Sequence, residues 1–158
     1  MALTKINNNS LSAITGLPAA IATGKVLQVV TNTHTSRFST SSTSYVAATG
    51  YTIAITPSAT SSKIFVCISA MADSAASGRI NYMTIYRGST NLGQSSDGLA
   101  STHAVGTRIY TPVTLSVLDS PSTTSAITYQ VYIKAFGGAV VFNDQESEAQ
   151  LTAFEIAG

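Results

Sequence analysis

The sequence predicts an all-β fold: an antiparallel β-sandwich of jelly-roll type, preceded by an extended N-terminal arm. Three observations lead there. From Lys25 onward, short runs rich in Val, Ile, Thr, Tyr and Phe alternate with Gly, Pro, Ser and Asn clusters, the signature of strands and reversals. No stretch keeps a capped 3.6-residue apolar period, so no crossover helix is available to join parallel strands. At 158 residues the chain has the length of one domain with a sizeable core.

The arm is placed at residues 1–24 and the sandwich at 25–158. Leu3, Ile6, Leu11, Ile14, Leu17 and Ile21 are too many large apolar side chains for a solvated tail, yet they follow neither strand nor helix period. The polar run "NNNS" (7–10) interrupts them, so this is not the apolar core of a secretion leader. Pro18 holds Leu17 out of the helical region, and Gly24 is the pivot into the first strand. The six apolar residues, with Pro18, form the expected partner-binding set.

"KVLQVVTN" (25–32) is the first strand, and "SYVAAT" (44–49) and "YTIAIT" (51–56) are expected as two strands around Gly50. "SKIFVCISAM" (62–71) is apolar on both faces, as a centrally buried strand would be. Its Cys67, the one cysteine of the chain, reads as a small core hydrophobe and excludes an intrachain disulfide. "RINYMTIYRG" (79–88) puts Ile80, Tyr82, Thr84 and Tyr86 on one face and Asn81, Met83, Ile85 and Arg87 on the other.

A short strand is expected at "TNLGQ" (90–94), followed by a polar stretch from Ser95 to Gly106. "TRIYTPVTLSVLD" (107–119) aims Val113, Leu115 and Val117 one way, with Pro112 marking an edge or bulge. "AITYQVYIKAF" (126–136) sets Tyr129, Val131, Ile133 and Ala135 against Gln130, Tyr132 and Lys134, and Gly137-Gly138 then signals a hairpin into "AVVFN" (139–143). "QLTAFEIAG" (150–158) closes the sandwich. The loops "TPSATSSKI" (56–64) and "SPSTTSAIT" (120–128) are alike, each placing Pro before a Ser/Thr cluster and an apolar strand.

Charged residues make up 9% of the chain, against a typical ~25%, and the net charge is +1. The 44 Ser and Thr residues keep the surface wet instead. A surface this poor in ions suits packing against other protein, since few charges are desolvated at the contact. The eight Lys and Arg residues are scattered singly, leaving no basic stripe, so no nucleic-acid partner is expected. No run approaches the ~20 apolar residues of a membrane span, so no membrane insertion is expected.

Chemistry-bearing residues are sparse. His34 and His103 are the candidates for a general base near neutrality. Asp97, Ser101 and His103 are sequence neighbours from which a nucleophile triad can be drawn, but they read as a polar loop. Asp144, Glu146 and Glu148 lack the Gly turn of a calcium loop. Asp97, Asp119 and Glu155 carry no signal that pairs them for glycoside hydrolysis. No catalytic residue, metal site or cofactor is expected, and the chain is not expected to be an enzyme. The interface-type residues Tyr82, Tyr86, Arg87 and Tyr110 are instead the candidate subunit interface, the alternative being that the tyrosines complete the core with their hydroxyls at its rim.

The phrases "ALTKINNNSLSAITGLPAAIATGKVLQVV", "ITPSATSSKIFVCIS", "LDSPSTTSAITYQVYIKA" and "FEIAG", in this order, resemble a group of tailed-bacteriophage virion proteins found in phages of cyanobacteria and other aquatic bacteria. The resemblance spans almost the whole chain and includes no catalytic signature. It implies a jelly roll similar to the tumour-necrosis-factor-like fold, a homotrimer, and a place on the capsid exterior as a decoration, or cement, protein bound to the major capsid protein. The alternative it implies is a tail-fibre or head-fibre tip that grips a host-surface receptor or glycan through residues 95–106 and 137–149. The brevity of the chain, without a fibre shaft, favours the first.

Overall fold

The computed structural model describes residues 24–144 and 147–158. The arm residues Leu3, Ile6, Leu11, Ile14, Leu17, Pro18 and Ile21 lie outside the described residues. Among the described residues there are eleven strands and no helix: β1 (Val26–His34), β2 (Phe38–Thr40), β3 (Val46–Ile55), β4 (Lys63–Ser74), β5 (Ile80–Arg87), β6 (Thr90–Asn91), β7 (Ala100–His103), β8 (Ile109–Asp119), β9 (Ile127–Phe136), β10 (Val140–Phe142) and β11 (Ala149–Ile156).

They form two antiparallel sheets. Sheet A runs β1-β11-β4-β8, with short β10 continuing the β11 side of β4 and carrying β2 at its far edge. Sheet B runs β3-β9-β5, with β6 and β7 sharing the far side of β5. Each sheet therefore draws strands from both halves of the chain, the doubled Greek key of a jelly roll.

Period-two alternation explains why these segments are strands and which face each buries. Ile64, Val66, Ile68 and Ala72 of β4 point inward with Leu151 and Ala153 of β11. Met83 and Ile85 of β5 and Tyr129, Val131, Ile133 and Ala135 of β9 meet them from sheet B. Each such large side chain contributes roughly 1.5–3 kcal/mol on burial. Tyr51 and Phe142 close one end edge to face, with ring centroids 4.9 Å apart.

The structure corrects the strand reading at several points. Residues 44–49 and 51–56 are not two strands: β3 is continuous, and the register slips between Ala47 and Thr52. Gly50 sits in that slip with φ +87°, and the His34 imidazole occupies the space a Cβ would need. Gly137-Gly138 does not make a hairpin, because β9 belongs to sheet B and β10 to sheet A. The polar stretch 95–106 contains β7, and β2 was not expected at all. Cys67 is half-buried on the outer face of sheet A rather than in the core.

Candidate interaction faces

The outer face of sheet A carries an apolar band. In the strand registers Val29 of β1 lies opposite Phe154 of β11, Phe154 opposite Phe65 of β4, and Phe65 opposite Leu118 of β8. The four side chains thus form one row across the whole sheet, with the two phenyl rings 6.1 Å apart. Val29 is 51% exposed and Leu118 is 53% exposed. Val26 and Ile156 extend the band at one corner, while the next row on the other side is Thr31, Thr152, Cys67 and Ser116.

The outer face of sheet B is aromatic. Tyr86 of β5 and Tyr132 of β9 are stacked with centroids 4.0 Å apart, and Tyr45 stands 6.3 Å from Tyr86. The Lys134 ammonium lies 4.9 Å from the rings of both Tyr45 and Tyr82, as a cation–π pair. Gly98 passes against the Tyr45 hydroxyl. That hydroxyl is buried and, among the described residues, without a hydrogen-bond partner. Its pKa is pushed up to about 12, first by burial and then by Tyr86 and Asp97 nearby.

The residues expected at a subunit interface are thereby divided. Tyr82 and Tyr86 share the outer face of sheet B. Arg87 points the other way, to Asp119, with Nη1 donating to both carboxylate oxygens at 2.9 and 2.8 Å. Tyr110 is on the outer side of β8, its ring 4.5 Å from the Arg108 guanidinium. Arg108 in turn joins buried Asp73 and Asp144, both at 2.6 Å from Nη2. Arg37 reaches Asp144 at 3.2 Å.

The buried carboxylates are engaged structurally, and the exposed triad candidates are not brought together. Ser101 and His103 are exposed on β7, and among the described residues no hydrogen bond links them to each other or to Asp97, which accepts from Ser96. Glu155 and Asp119 flank Ile64 on its two neighbouring strands. Glu155 Oε1 accepts from Ser58 N, Ser58 Oγ and Ser62 Oγ at 2.6–2.7 Å, and Oε2 accepts from Gln28 Nε2 at 2.7 Å. Burial raises its pKa, but these donors outweigh burial and hold it down to about 2, the reverse of what a general acid needs. Among the described residues no group of three His, Cys, Asp or Glu side chains could hold a metal ion; Glu146, of the acidic run, lies outside them.

No family model matches the chain, and no curated protein does. Among solved structures it is similar to a chain in the structure of infectious bursal disease virus Gt strain, at 14% identity and a TM-score of 0.37, over 84% of this chain and 39% of that one. Most of the viral chain lies outside the match.

Sequence reading missed the apolar row and the partners of Tyr86. Each strand carries only one or two members of either set, so no single segment stands out. The available signal was that "SKIFVCISAM" is apolar on both faces: Phe65, an outward member, is a large apolar side chain on the outer face of the sheet.

Proposed function

We propose that the chain is a non-enzymatic structural protein of a tailed-bacteriophage virion: a capsid decoration, or cement, protein that sits on the head exterior as a homotrimer and binds across neighbouring major capsid protein subunits. The observation that carries this reading is the tyrosine cluster on the outer face of sheet B. A sandwich standing alone keeps such a face polar, whereas stacked tyrosines around one lysine are anchors of a protein interface. The low charge of the chain and its resemblance to phage virion proteins support the same reading.

The mechanism is binding energy alone. Tyr82, Tyr86 and Tyr132 supply rigid amphipathic contact between subunits. Leu3, Ile6, Leu11, Ile14 and Leu17 enter pockets on the capsid, each contributing roughly 1.5–3 kcal/mol before ordering costs. Three copies held together multiply the effect through effective concentration.

The test has two parts. Sedimentation equilibrium on the full chain reads the subunit number, and mixing with capsids lacking the protein reads decoration and resistance to heat. A trimer that restores heat resistance supports the reading; a monomer that leaves capsids bare overturns it.

The fibre-tip reading is favoured by one observation. Residues 104–108 and 137–144 meet at one end of the sandwich, where Arg108 bonds Asp144 and Arg79 Nη1 bonds the Ala139 carbonyl at 2.8 Å. Saturable binding to host cells, lost when these residues are changed, would place a host-surface receptor there instead.

A further inference from the structure

We infer that the free edge of β8 pairs with the same edge of a second copy, antiparallel and about a two-fold axis at Thr114, so that two A sheets join into one. This contact is separate from the sheet B tyrosines and stands whether or not the chain decorates capsids.

The edge itself is the first observation. β8 pairs with β4 on one side, and among the described residues no backbone hydrogen bond joins Ile109–Asp119 to any other segment. Its eleven residues keep an unbroken register with β4, from Asp119 opposite Ile64 to Ile109 opposite Ser74. No charged side chain lies between Arg108 and Asp119. Pro112 withholds at most one donor and keeps its carbonyl. A long, regular, uncharged edge is a template for another strand unless something blunts it.

The other edges are blunted. β1 slips in register between Val26 and Gln28, and the Gln28 and Asn32 amides donate to the Thr56 and Thr52 carbonyls at 2.7 and 2.9 Å, tying it to β3 and the residue that follows. β3 itself slips between Ala47 and Thr52. β2, β6 and β7 are only three, two and four residues long.

The pattern along β8 selects the occupant. Thr114 is the middle of the eleven residues, so full antiparallel overlap of two copies sets Thr114 opposite Thr114 of the second copy. In that register odd positions meet odd and even meet even, so both copies turn Leu115 to the interior side. On the outer side Tyr110 meets Leu118 of the second copy. These two are the exposed large apolar side chains of β8, at 41% and 53%, and they flank Thr114 symmetrically, so one apolar cross-strand pair forms twice. The row from Val29 to Leu118 then runs on across the junction to the second Tyr110. The Arg108 end of one strand lies beside the Asp119 end of the other, so like charges do not face each other.

Disulfide cross-linking of the full chain reads the register. With Cys67→Ser in place, the introduced cysteine is the one thiol. Thr114→Cys is expected to give a two-chain product on mild oxidation, because directly opposed residues stand about 4.5–5.5 Å apart. Ser116→Cys is expected to stay single-chain, because its counterpart is displaced along the strand by about 13–14 Å. Both positions are exposed, and far-ultraviolet spectra check that each variant is folded. Equal cross-linking at the two sites, or none at either, overturns the inference.

Charge at the axis gives an independent measurement. Thr114→Lys sets two ammonium groups against each other and is expected to weaken pairing about fivefold in sedimentation equilibrium, as Thr114→Glu does with carboxylates. An equal mixture of the two variants is expected to regain the native strength. A mixture no tighter than either variant alone overturns the second-copy assignment. So does an edge that stays uncross-linked in solution while Thr114→Lys weakens capsid binding, a result that gives the edge to an extended segment of another protein.

Discussion

Arg87 of sheet B and Asp119 of sheet A form an ion pair across the sandwich, with Nη1 at 2.9 Å from Oδ1 and 2.8 Å from Oδ2. Tyr129 Oη donates to the same carboxylate at 2.7 Å. Burial and then the bond to Asp119 raise the Tyr129 pKa. Asp119 is thus a buried charge whose two donors come from the opposite sheet. Asp119→Ala is expected to destabilise by about 3 kcal/mol, since it strands Arg87 and opens the sheet-to-sheet tie. Tyr129→Phe is expected to cost about 1.5 kcal/mol. Urea midpoints measure both, and an unchanged midpoint for Asp119→Ala would contradict the assignment.

A second carboxylate sets the acid limb of stability. The Glu155 pKa is held down to about 2 in the folded protein, below the ~4.3 of an unfolded glutamate. A depressed folded value means that the unfolded chain takes up the proton first. The stabilisation is therefore complete above about pH 4.3 and is lost as pH falls toward 2. Urea unfolding from pH 7 to pH 2 should show this fall, and Glu155→Gln should flatten it.

Gly98 cannot be replaced cheaply. It has φ +72°, and a Cβ there would overlap the Met83 carbonyl oxygen and crowd the Tyr45 hydroxyl. Gly98→Ala is expected to destabilise by about 1–3 kcal/mol, with Gly88→Ala, also at positive φ but facing open space, as the control. Equal losses in the two would show that conformation, not space, governs the site.

Tyr45 should behave in the opposite sense to Tyr129. Its buried hydroxyl has no hydrogen-bond partner among the described residues, so Tyr45→Phe removes a desolvated group and keeps the ring against Tyr86 and Lys134. The variant is expected to be as stable as the native chain or more stable by about 1 kcal/mol. A loss above about 1 kcal/mol would reveal a partner for the hydroxyl.

The tyrosine cluster predicts an assembly phenotype distinct from folding. Tyr86→Ala/Tyr132→Ala removes the stacked pair from an outer face and should lower the subunit number in sedimentation without abolishing the far-ultraviolet β-sheet spectrum. Retention of the native subunit number would exclude this face as the subunit contact.

The inward alternation of β8 and β9 was readable because period two is written locally: Leu115, Ile133 and their neighbours on alternate positions face the core as expected. Gly137-Gly138 misled, because a Gly pair specifies a reversal but not whether the next strand pairs with the last. Cys67 misled for a related reason: an apolar run on both faces does not tell which face meets the other sheet.

Residue order alone determined the β class, the length of most strands, their inward faces and the scarcity of catalytic groups, because these depend on near neighbours and composition. Tertiary structure alone decided that Val29, Phe154, Phe65 and Leu118 form one row, that Arg87 serves Asp119, and that Glu155 ends among serines. These depend on register between strands far apart in the chain, as for Gln28 and Glu155, which are 127 residues apart. Such register follows from the packing of the whole core, and no single segment carries it.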